Sequence, residues 1–409
     1  MNLSVKVFLE NVRNNLKPRA EGNFVIITGN ESCDLDSVVS AIGYAFLKTL
    51  KETKDRIFIP YCNVSKAEID LRTEVVYWLK TVGLPIGDLI TAGELDWLHK
   101  KENAKMVQVI LVDHLQIEQS NFFKNYPVIE IIDHRPLPKD YKQPNSCDFF
   151  NVHIVGSCST LITELLFDNL DPSEIPMDLC HLLYGAMLVD NDGFSVSAIE
   201  INKATKRDQY ACEKLLEHGG QKLLNQGGTR NNVYEEIKKS KFDISGLSLQ
   251  QLFRRDCKKI ILPDRPIIVC STIAGVDCQT LTAMSGFFND ASSYCTQQSA
   301  HALVCVTVGR IPSAENSCST CNPKEAILDD GMRRGIVITG PPQNLDFVNK
   351  LWQYLMGHSG ALHLMSIKNG ACCNMPINQG VHIAVVTNPY ATRKQLIPIL
   401  NEFLANELS

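Results

Sequence analysis

Four short segments of this 409-residue chain place acidic side chains at or just after the end of an apolar run. These segments, 25–36, 109–114, 128–135 and 185–190, carry the following residues: Asp34, Asp36, Asp113, Asp133, His134 and Asp190. The first three runs are typical of strands buried on both faces of a parallel sheet, and the fourth could instead end a helix. An acid just past a parallel strand lies at its carboxyl end, where open α/β sheets bind ligands. Carboxylates and an imidazole gathered there predict a site for hard divalent cations and metal-dependent phosphate chemistry.

The spacing of Asp34 and Asp36 is informative, because a helix is predicted to start directly after them at Ser37. Two carboxylates in such a loop can bind neighbouring ions while the helix N-terminus attracts phosphate. Taken alone, either acid is equally well explained as a helix N-cap. Several carboxylates around one point stay ionised only with cations between them, and two divalent ions about 3.5–4 Å apart would serve. The oxygen and nitrogen donors predict Mg²⁺ or Mn²⁺, with Co²⁺ tolerated, and the lack of thiolates disfavours zinc.

Basic residues that could hold phosphate occur beside the acids and again in the second half of the chain. Arg135 directly follows the histidine and could bind phosphate oxygens in bidentate fashion or form a surface salt bridge. The stretches 254–259 and 392–394 carry further cations, although each alone is more typical of a solvated helix end or face. The stretch 157–160, Ser-Cys-Ser-Thr, predicts a helix cap that could also touch a phosphate.

Composition limits the class of protein. The formal net charge of −5 argues against a surface that traps nucleic-acid polymers, so none is expected as a partner. No apolar run reaches the roughly 18 residues of a membrane-spanning helix, and the N-terminus lacks a secretory pattern. The 15 cysteines, several beside apolar runs, are therefore predicted to be reduced thiols in a cytoplasmic protein without membrane contact.

Strands alternate with helices in the first part of the chain. Predicted strands cover 24–28, 56–60, 107–112 and 127–132, and predicted helices cover 1–21, 37–48, 74–82, 156–169 and 177–189. This order predicts an α/β fold, a doubly wound and mainly parallel sheet over 1–195.

The composition of the sequence changes after Asp190. A charged helix is predicted over 202–218, and glycine pairs follow it. We expect a linker over 196–222 and a second, smaller mixed α/β domain over 223–409. Its strands are predicted at 266–271, 302–309, 336–339 and 381–387. The segment 311–330 is predicted to be a loop insertion, and its Cys-x-x-Cys lacks the partners of a zinc site.

The acidic segments resemble the four motifs of the DHH phosphoesterases. The relevant branch holds the family II inorganic pyrophosphatases, the yeast-type exopolyphosphatase and the Prune proteins. The first motif, 29–37, is similar to the exopolyphosphatase and Prune form, and Asp133-His134-Arg135 resembles the Prune form of the third motif, where most relatives have Asp-His-His. The stretch 242–258 is similar to the start of a DHHA2-type C-terminal domain.

The resemblance implies roles for individual residues. The five acids and the histidine named first fall on metal-ligand positions, with Asp113 and Asp190 resembling the two carboxylates that bridge both ions. The phosphate-binding positions correspond to Arg135, Lys258, Arg393 and Lys394. His114 matches a histidine that is either a direct contact or a positioning group. Asn30 stands where family II pyrophosphatases have a histidine ligand, so we expect it to be a weaker ligand and to shift the preference toward Mg²⁺.

The activity implied is hydrolysis of a phosphoanhydride bond in short-chain polyphosphate by a metal-activated water, that of an exopolyphosphatase. One alternative is a phosphodiesterase acting on cyclic nucleotides or short oligonucleotides, which would require an apolar base pocket. The other is a regulatory interaction protein that binds nucleoside diphosphate kinase, as the resemblance to Prune suggests.

Overall fold

A computed structural model describes residues 3–16, 23–52, 55–99, 107–117, 122–220, 228–310, 331–358, 360, 362–367, 380–388, 391 and 393–406. The chain divides into two compact units, Met1–Ser240 and Lys241–Ser409. None of the helices in these described ranges is long and apolar enough to cross a membrane. The predicted insertion, 311–330, lies outside the described residues.

The first unit is built on a six-stranded sheet in which neighbouring strands are parallel. Its strands are β1 (Asn23–Thr28), β2 (Arg56–Ser65), β3 (Ile90–Ala92), β4 (Val107–Val112), β5 (Val128–Asp133) and β6 (Phe149–Val152). The spatial order β3-β2-β1-β4-β5-β6 is that of a doubly wound sheet, which confirms the predicted fold class. Every residue of β5 is buried, as its continuous apolar run predicts. The order reverses between β1 and β4, and such a switch point is where ligands bind.

Nine helices with bounds in the described ranges begin in this unit. They are α1 (Val5–Asn15), α2 (Leu35–Lys51), α3 (Lys66–Ile69), α4 (Thr73–Thr81), α5 (Cys158–Asn169), α6 (Met177–Asp190), α7 (Val196–Glu200), α8 (Lys206–Gly219) and α9 (Arg230–Phe242). Helix α2 is buried from Leu35 to Leu47 and contacts both α5 and α6. Because α6 is apolar nearly all round, it lies inside the core, and its last residue is Asp190. The fourth acidic segment therefore ends a helix.

The boundary between the units differs from the prediction. The division falls after Ser240, whereas the expected linker was 196–222. That stretch contains α7 and α8, and α8 packs against α5 and α6. Helix α8 has many charged side chains, so its sequence did not reveal its apolar face. On that face, Ala211, Cys212 and Leu215 are buried against the first unit's core.

The second unit contains a six-stranded mixed sheet. Its strands are β7 (Cys257–Ile260), β8 (Ile268–Ala274), β9 (Ala302–Arg310), β10 (Met332–Thr339), β11 (Leu364–Ser366) and β12 (His382–Val386), in the spatial order β11-β12-β10-β9-β8-β7. Strands β8 and β9 are parallel, and the other neighbours are antiparallel. Its helices are α10 (Leu249–Arg255), α11 (Cys278–Ala283), α12 (Phe287–Gln297), α13 (Leu345–Gly357) and α14 (Arg393–Asn406). The predicted mixed α/β domain is therefore confirmed.

Side chains on both faces of this second sheet are buried in apolar clusters. Val269 and Ile273 of β8 belong to one cluster, while Ile268 and Cys270 belong to another. This alternation follows from the two-residue period of a strand. The cysteines within the described ranges are free thiols, and Cys270 and Cys305 are fully buried.

Candidate metal centre

Three metal-ligating side chains converge at the carboxyl ends of neighbouring strands of the first sheet. Asp36 lies in the first turn of α2 after β1, Asp113 follows β4, and His134 follows β5. One ligand atom from each lies within 4.8 Å of the other two. The structure thus brings together three of the residues predicted as ligands, at the switch point of the sheet.

Asp113 accepts hydrogen bonds on both of its carboxylate oxygens. Its Oδ2 accepts hydrogen bonds from Nδ2 of Asn30 at 2.7 Å and from Oγ of Ser37 at 2.6 Å. Its Oδ1 accepts one from Nη2 of Arg135 at 2.5 Å, and Nε2 of His134 lies 3.2 Å away. The backbone of Asp113 is left-handed, with φ of 53°, a conformation that few non-glycine residues adopt. Donors on both oxygens therefore hold a buried carboxylate in one orientation.

The charges of this centre shift the pKa values of its members. Burial raises the pKa of Asp113, but the hydrogen bond from His134 and the charge of Arg135 outweigh it and hold that pKa below its usual value. Burial and the charge of Asp113 raise the pKa of Asp133 to about 6. Burial lowers the pKa of His134, but its bond to Asp113 and the charge of Asp36 outweigh that effect and raise it to about 10. The site therefore favours positive charge strongly.

Asp36 performs a structural task that its position in the sequence does not reveal. Its Oδ2 accepts a hydrogen bond from the N–H of Cys158 at 2.7 Å. Its Oδ1 accepts from the N–H of Ser159 at 2.8 Å, from the hydroxyl of Ser159 at 2.5 Å and from Ser40 Oγ at 3.2 Å. Ser157 occupies the N-cap position of α5 without a side-chain cap bond. The cap predicted within 157–160 is thus supplied by Asp36 from another helix, since a carboxylate satisfies the free N–H groups of a helix start.

Two further predicted ligands, Asp34 and Asp190, differ in how many hydrogen bonds their carboxylates accept. Asp34 is the N-cap of α2, and its Oδ1 accepts a hydrogen bond from the N–H of Ser37 at 3.1 Å. Asp190 has a buried Oδ2 without a hydrogen-bond partner among the described residues. Burial and the charges of Asp36 and Asp34 raise the pKa of Asp190 well above its usual value. A buried carboxylate oxygen without a donor is costly unless a cation pairs with it, so these residues fit divalent ions.

Asn30 lies in the site, but its amide is engaged differently from the prediction. Its Oδ1 accepts a hydrogen bond from the N–H of Ser32 at 2.8 Å, and its Nδ2 donates to Asp113. Exchanging the amide oxygen and nitrogen would set the NH₂ group against the N–H donor of Ser32 and the oxygen against the carboxylate of Asp113, so this orientation is the satisfied one. The side chain of Asn30 therefore orients Asp113, and its amide oxygen accepts a hydrogen bond from the backbone of the loop to which Asn30 belongs. His114 is half-buried directly after Asp113.

Sequence reasoning missed several hydroxyl and guanidinium groups that build the centre. Ser37, Ser40 and Ser159 donate to the site's carboxylates. Arg72, which is buried, donates from Nε to the carbonyl of Ser32 at 2.9 Å and so supports the loop after β1. The four-residue spacing of Asp36 and Ser40 on one helix face was the one local signal, because the other contacts join distant parts of the chain.

The predicted basic stretches meet within the second unit. Arg393, the first residue of α14, donates from Nη1 to the carbonyl and from Nη2 to Oδ1 of Asp256, both at 2.8 Å. Asp256 is followed in the chain by Cys257 and Lys258 at the start of β7, and Lys258 is exposed. Lys394 is exposed beside Arg393. This contact, between residues 137 positions apart, brings the two basic stretches together within the second unit.

A parallel sheet with buried carboxylates at its switch point, followed by a mixed unit, matches one family. The model of the DHH family, N-terminal domain, covers residues 24–187, and that of the DHHA2 domain covers residues 235–403. The chain belongs to the DHH family and carries a DHHA2 domain, as its motifs predict.

Three named relatives are similar to this chain over more than half of its length. The chain is 32% identical over 283 residues to Exopolyphosphatase PRUNE1 of Bos taurus, covering 69% of this chain and 59% of that protein. It is 26% identical over 266 residues to a putative exopolyphosphatase of Schizosaccharomyces pombe, covering 62% and 65%. It is 24% identical over 269 residues to a probable manganese-dependent inorganic pyrophosphatase of Brevibacillus brevis, covering 64% and 74%. The match to the PRUNE1 relatives thus spans about three fifths of their length.

A solved structure shares the fold. A putative family II inorganic pyrophosphatase of Methanococcus jannaschii aligns over 93% of this chain and 100% of that chain, with a TM-score of 0.54 and 17% sequence identity. This likeness concerns the fold alone and agrees with the predicted architecture.

Proposed function

We propose that this chain is a metal-dependent hydrolase of phosphoanhydride bonds that acts on short-chain polyphosphate. The observation that carries the proposal is the gathering of Asp36, Asp113 and His134, whose ligand atoms lie within 4.8 Å of one another. The buried Oδ2 of Asp190, which has no hydrogen-bond donor among the described residues, supports it. The printed names of the relatives, exopolyphosphatase and manganese-dependent inorganic pyrophosphatase, support the same bond type. A short substrate is favoured because few cations are predicted to bind it.

We assign two divalent ions to this centre, Mg²⁺ or Mn²⁺, with Co²⁺ as a possible substitute. The ligands proposed are Asp34, Asp36, Asp113, Asp133, His134 and Asp190. Bound divalent ions would lower the pKa of an attacking water and neutralise phosphoryl oxygens. His134 must lose its ring proton to become a ligand, so metal binding releases protons from this site.

The cations of the chain are assigned to the phosphate groups. Arg135 holds Asp113 with Nη2, while its side chain is 41% exposed, which leaves part of the planar guanidinium accessible to a phosphate oxygen. Lys258, Arg393 and Lys394 are proposed to bind outer phosphates, and His114 to contact the substrate.

Free thiols throughout the described ranges support the prediction of a reducing, cytoplasmic setting.

The test is phosphate release from tripolyphosphate, pyrophosphate, long polyphosphate and cyclic AMP, each with Mg²⁺, Mn²⁺ or Co²⁺. Asp133→Ala removes a buried carboxylate of the site, so we expect turnover to fall at least about a thousandfold, as when a metal-assembling group is lost. Asp140→Ala is the matched control, because Asp140 is exposed on the following loop.

The substrates separate the alternatives. Release from tripolyphosphate that vanishes in Asp133→Ala and persists in Asp140→Ala supports the proposal. Full activity of Asp133→Ala would overturn the site assignment. Cleavage of cyclic AMP alone would indicate the phosphodiesterase instead, and a protein that binds the metals but cleaves nothing would indicate the interaction partner of nucleoside diphosphate kinase.

A further inference from the structure

A further buried acid, Asp208, lies outside the predicted ligand set and is completely enclosed. It belongs to the first turn of α8, the helix that was predicted to be part of a linker. Its carboxylate accepts hydrogen bonds from the N–H of Gly156 at 2.9 and 3.0 Å and from Oγ1 of Thr160 at 2.6 Å. It also accepts from the N–H of Thr205 at 2.8 Å and from its hydroxyl at 2.6 Å. An ordinary capping box would need only the contacts with Thr205.

The contacts with Gly156 and Thr160 bracket the segment that holds Asp36. Cys158 and Ser159, which lie between them, donate both of their N–H groups to Asp36. The carboxylate of Asp208 is therefore bonded on either side of the donors that orient this predicted metal ligand. A shift of the 156–160 segment would move these donors and, with them, Asp36.

The 156–160 segment also lies against the residue that follows Asp190, another predicted metal ligand. A Cβ atom on Gly156 would lie 2.0 Å from Oδ1 of Asn191 and 2.7 Å from the carbonyl oxygen of Lys203. Asn191 is fully buried, is the C-cap of α6 and directly follows Asp190. Only glycine permits this close approach, since real Cβ contacts are longer. One junction therefore connects the segment that holds Asp36 with the segment that carries Asp190.

We propose that Asp208 is a positioning residue that fixes Asp36 relative to Asp190 through the 156–160 segment. The inference rests on the proposed function, because it concerns how the metal ligands are held. Asp208 lies outside the predicted ligand set, and both of its carboxylate oxygens accept hydrogen bonds from described residues. Outer contacts that orient metal ligands typically change affinity by about 10–100-fold when they are removed.

The experiment uses the whole chain and Mn²⁺ alone as the probe. Asp208→Asn keeps the shape but sets an NH₂ group against N–H donors, so we expect Mn²⁺ affinity to fall by about 10–100-fold. We also expect amide hydrogen exchange at Cys158 and Ser159 to accelerate in the metal-free protein. Thr205→Ala is the matched control, because it weakens the cap of α8 and leaves the bonds to Gly156 and Thr160 intact. It should lower the thermal midpoint without changing either readout by more than about twofold.

The outcomes separate the two proposals. Failure of the unmodified chain to bind Mn²⁺ would overturn the proposed function itself. Normal Mn²⁺ binding by the unmodified chain and by Asp208→Asn would overturn only the positioning role, and so would equal losses in Asp208→Asn and Thr205→Ala. If Asp208→Asn does not fold, Thr160→Val provides the test. This variant removes the hydrogen bond from Thr160 to Asp208 and keeps the carboxylate. Thr160→Val should then lower the Mn²⁺ affinity relative to the unmodified chain, by less than the roughly 10–100-fold expected when all such contacts are lost, and an unchanged affinity would count against the proposal.

Discussion

At the scale of single residues, the acids of the centre differ in how completely the protein itself satisfies them. Asp113 has donors on both oxygens, and Asp36 has donors from two helices. Asp190 keeps one buried oxygen without a donor in the part of the chain that the structure describes. Asp113 and Asp36 are consequently held in place by the protein, whereas a cation at the proposed metal centre would offset the burial of Asp190.

Asn30 provides a test of metal preference at this scale. In Asn30→His, an imidazole replaces an amide that now bonds Ser32 and Asp113, and a ring nitrogen becomes available as a ligand. Because imidazole favours Mn²⁺ over Mg²⁺, we expect the ratio of Mn²⁺ to Mg²⁺ affinity to rise roughly tenfold. Calorimetric titration with each ion measures it, and Asn151→His is a control at a strand position away from the loop. An unchanged ratio would refute this account of Asn30.

The residue types of the site were predictable from the sequence, but their contacts were not. Acids after apolar runs identified Asp113 and Asp133, because parallel strands bring their carboxyl ends to one edge. The orientation of Asn30 depends on Ser32 and Asp113 together, and the second of these is remote in sequence. Side-chain bonds of that kind have no local pattern from which they could be read.

At the scale of elements, strands with continuous apolar runs were predicted almost residue by residue. Prediction and structure agree on β4, and they differ by one residue at the start of β1 and at both ends of β5. Strand β2 is the exception, since it continues to Ser65 beyond its predicted end at residue 60. The edge strands β3 and β6 were missed because they are short, and β6 has no buried residue. A short, half-exposed strand carries little periodic signal, and its neighbour in the sheet determines its conformation.

Helix α6 carries a buried histidine whose protonation should limit stability in acid. His181 stacks on Trp78 at 4.3 Å, and its Nε2 lies 3.0 Å from the hydroxyl of Thr81. Burial lowers the pKa of His181 to about 4, from 6.5 for a free side chain. Between those values the unfolded chain binds the proton and the folded chain does not. The free energy of unfolding should therefore fall by about 2–3 kcal/mol as pH drops from 6.5 to 4, and none of this loss should occur above 6.5.

The measurement is urea unfolding across pH 4–7.5 for the unmodified chain and for two variants. His181→Gln removes the titrating group and should flatten this part of the pH dependence by about 2–3 kcal/mol. His363→Gln, at an exposed histidine of the second unit, should leave it unchanged. An equal slope in His181→Gln and the unmodified chain would show that other groups cause the acid sensitivity.

At the scale of the whole molecule, each unit has its own buried apolar clusters and its own sheet. The proposed metal ligands all belong to the first unit, and the predicted outer-phosphate cations belong to the second. Ligand binding stabilises only the folded unit that holds the ligand, so Mn²⁺ alone should stabilise the first unit and leave the second unchanged.

Calorimetry should therefore resolve a metal-dependent unfolding transition from a metal-independent one. At Mn²⁺ concentrations about 100 times the dissociation constant, the first unit gains about 2.7 kcal/mol. That gain corresponds to a rise of roughly 5–10 °C in its midpoint, and chelation should reverse it. The midpoint of the second unit should move by less than about 1 °C. Asp133→Ala should lose the shift, and a shift of both transitions in that variant would place Mn²⁺ elsewhere.

The cap that Asp36 supplies to α5 has a practical consequence for anyone seeking an inactive form that still captures substrate. Replacing Asp36 would leave the N–H groups of Cys158 and Ser159 without their acceptor. The variant would therefore lose the cap of α5 together with a proposed metal ligand. Asp190 has no such duty toward a helix start, and Asp190→Asn removes a buried charge at constant shape. Substrate trapping for crystallography should therefore begin from Asp190 rather than from Asp36.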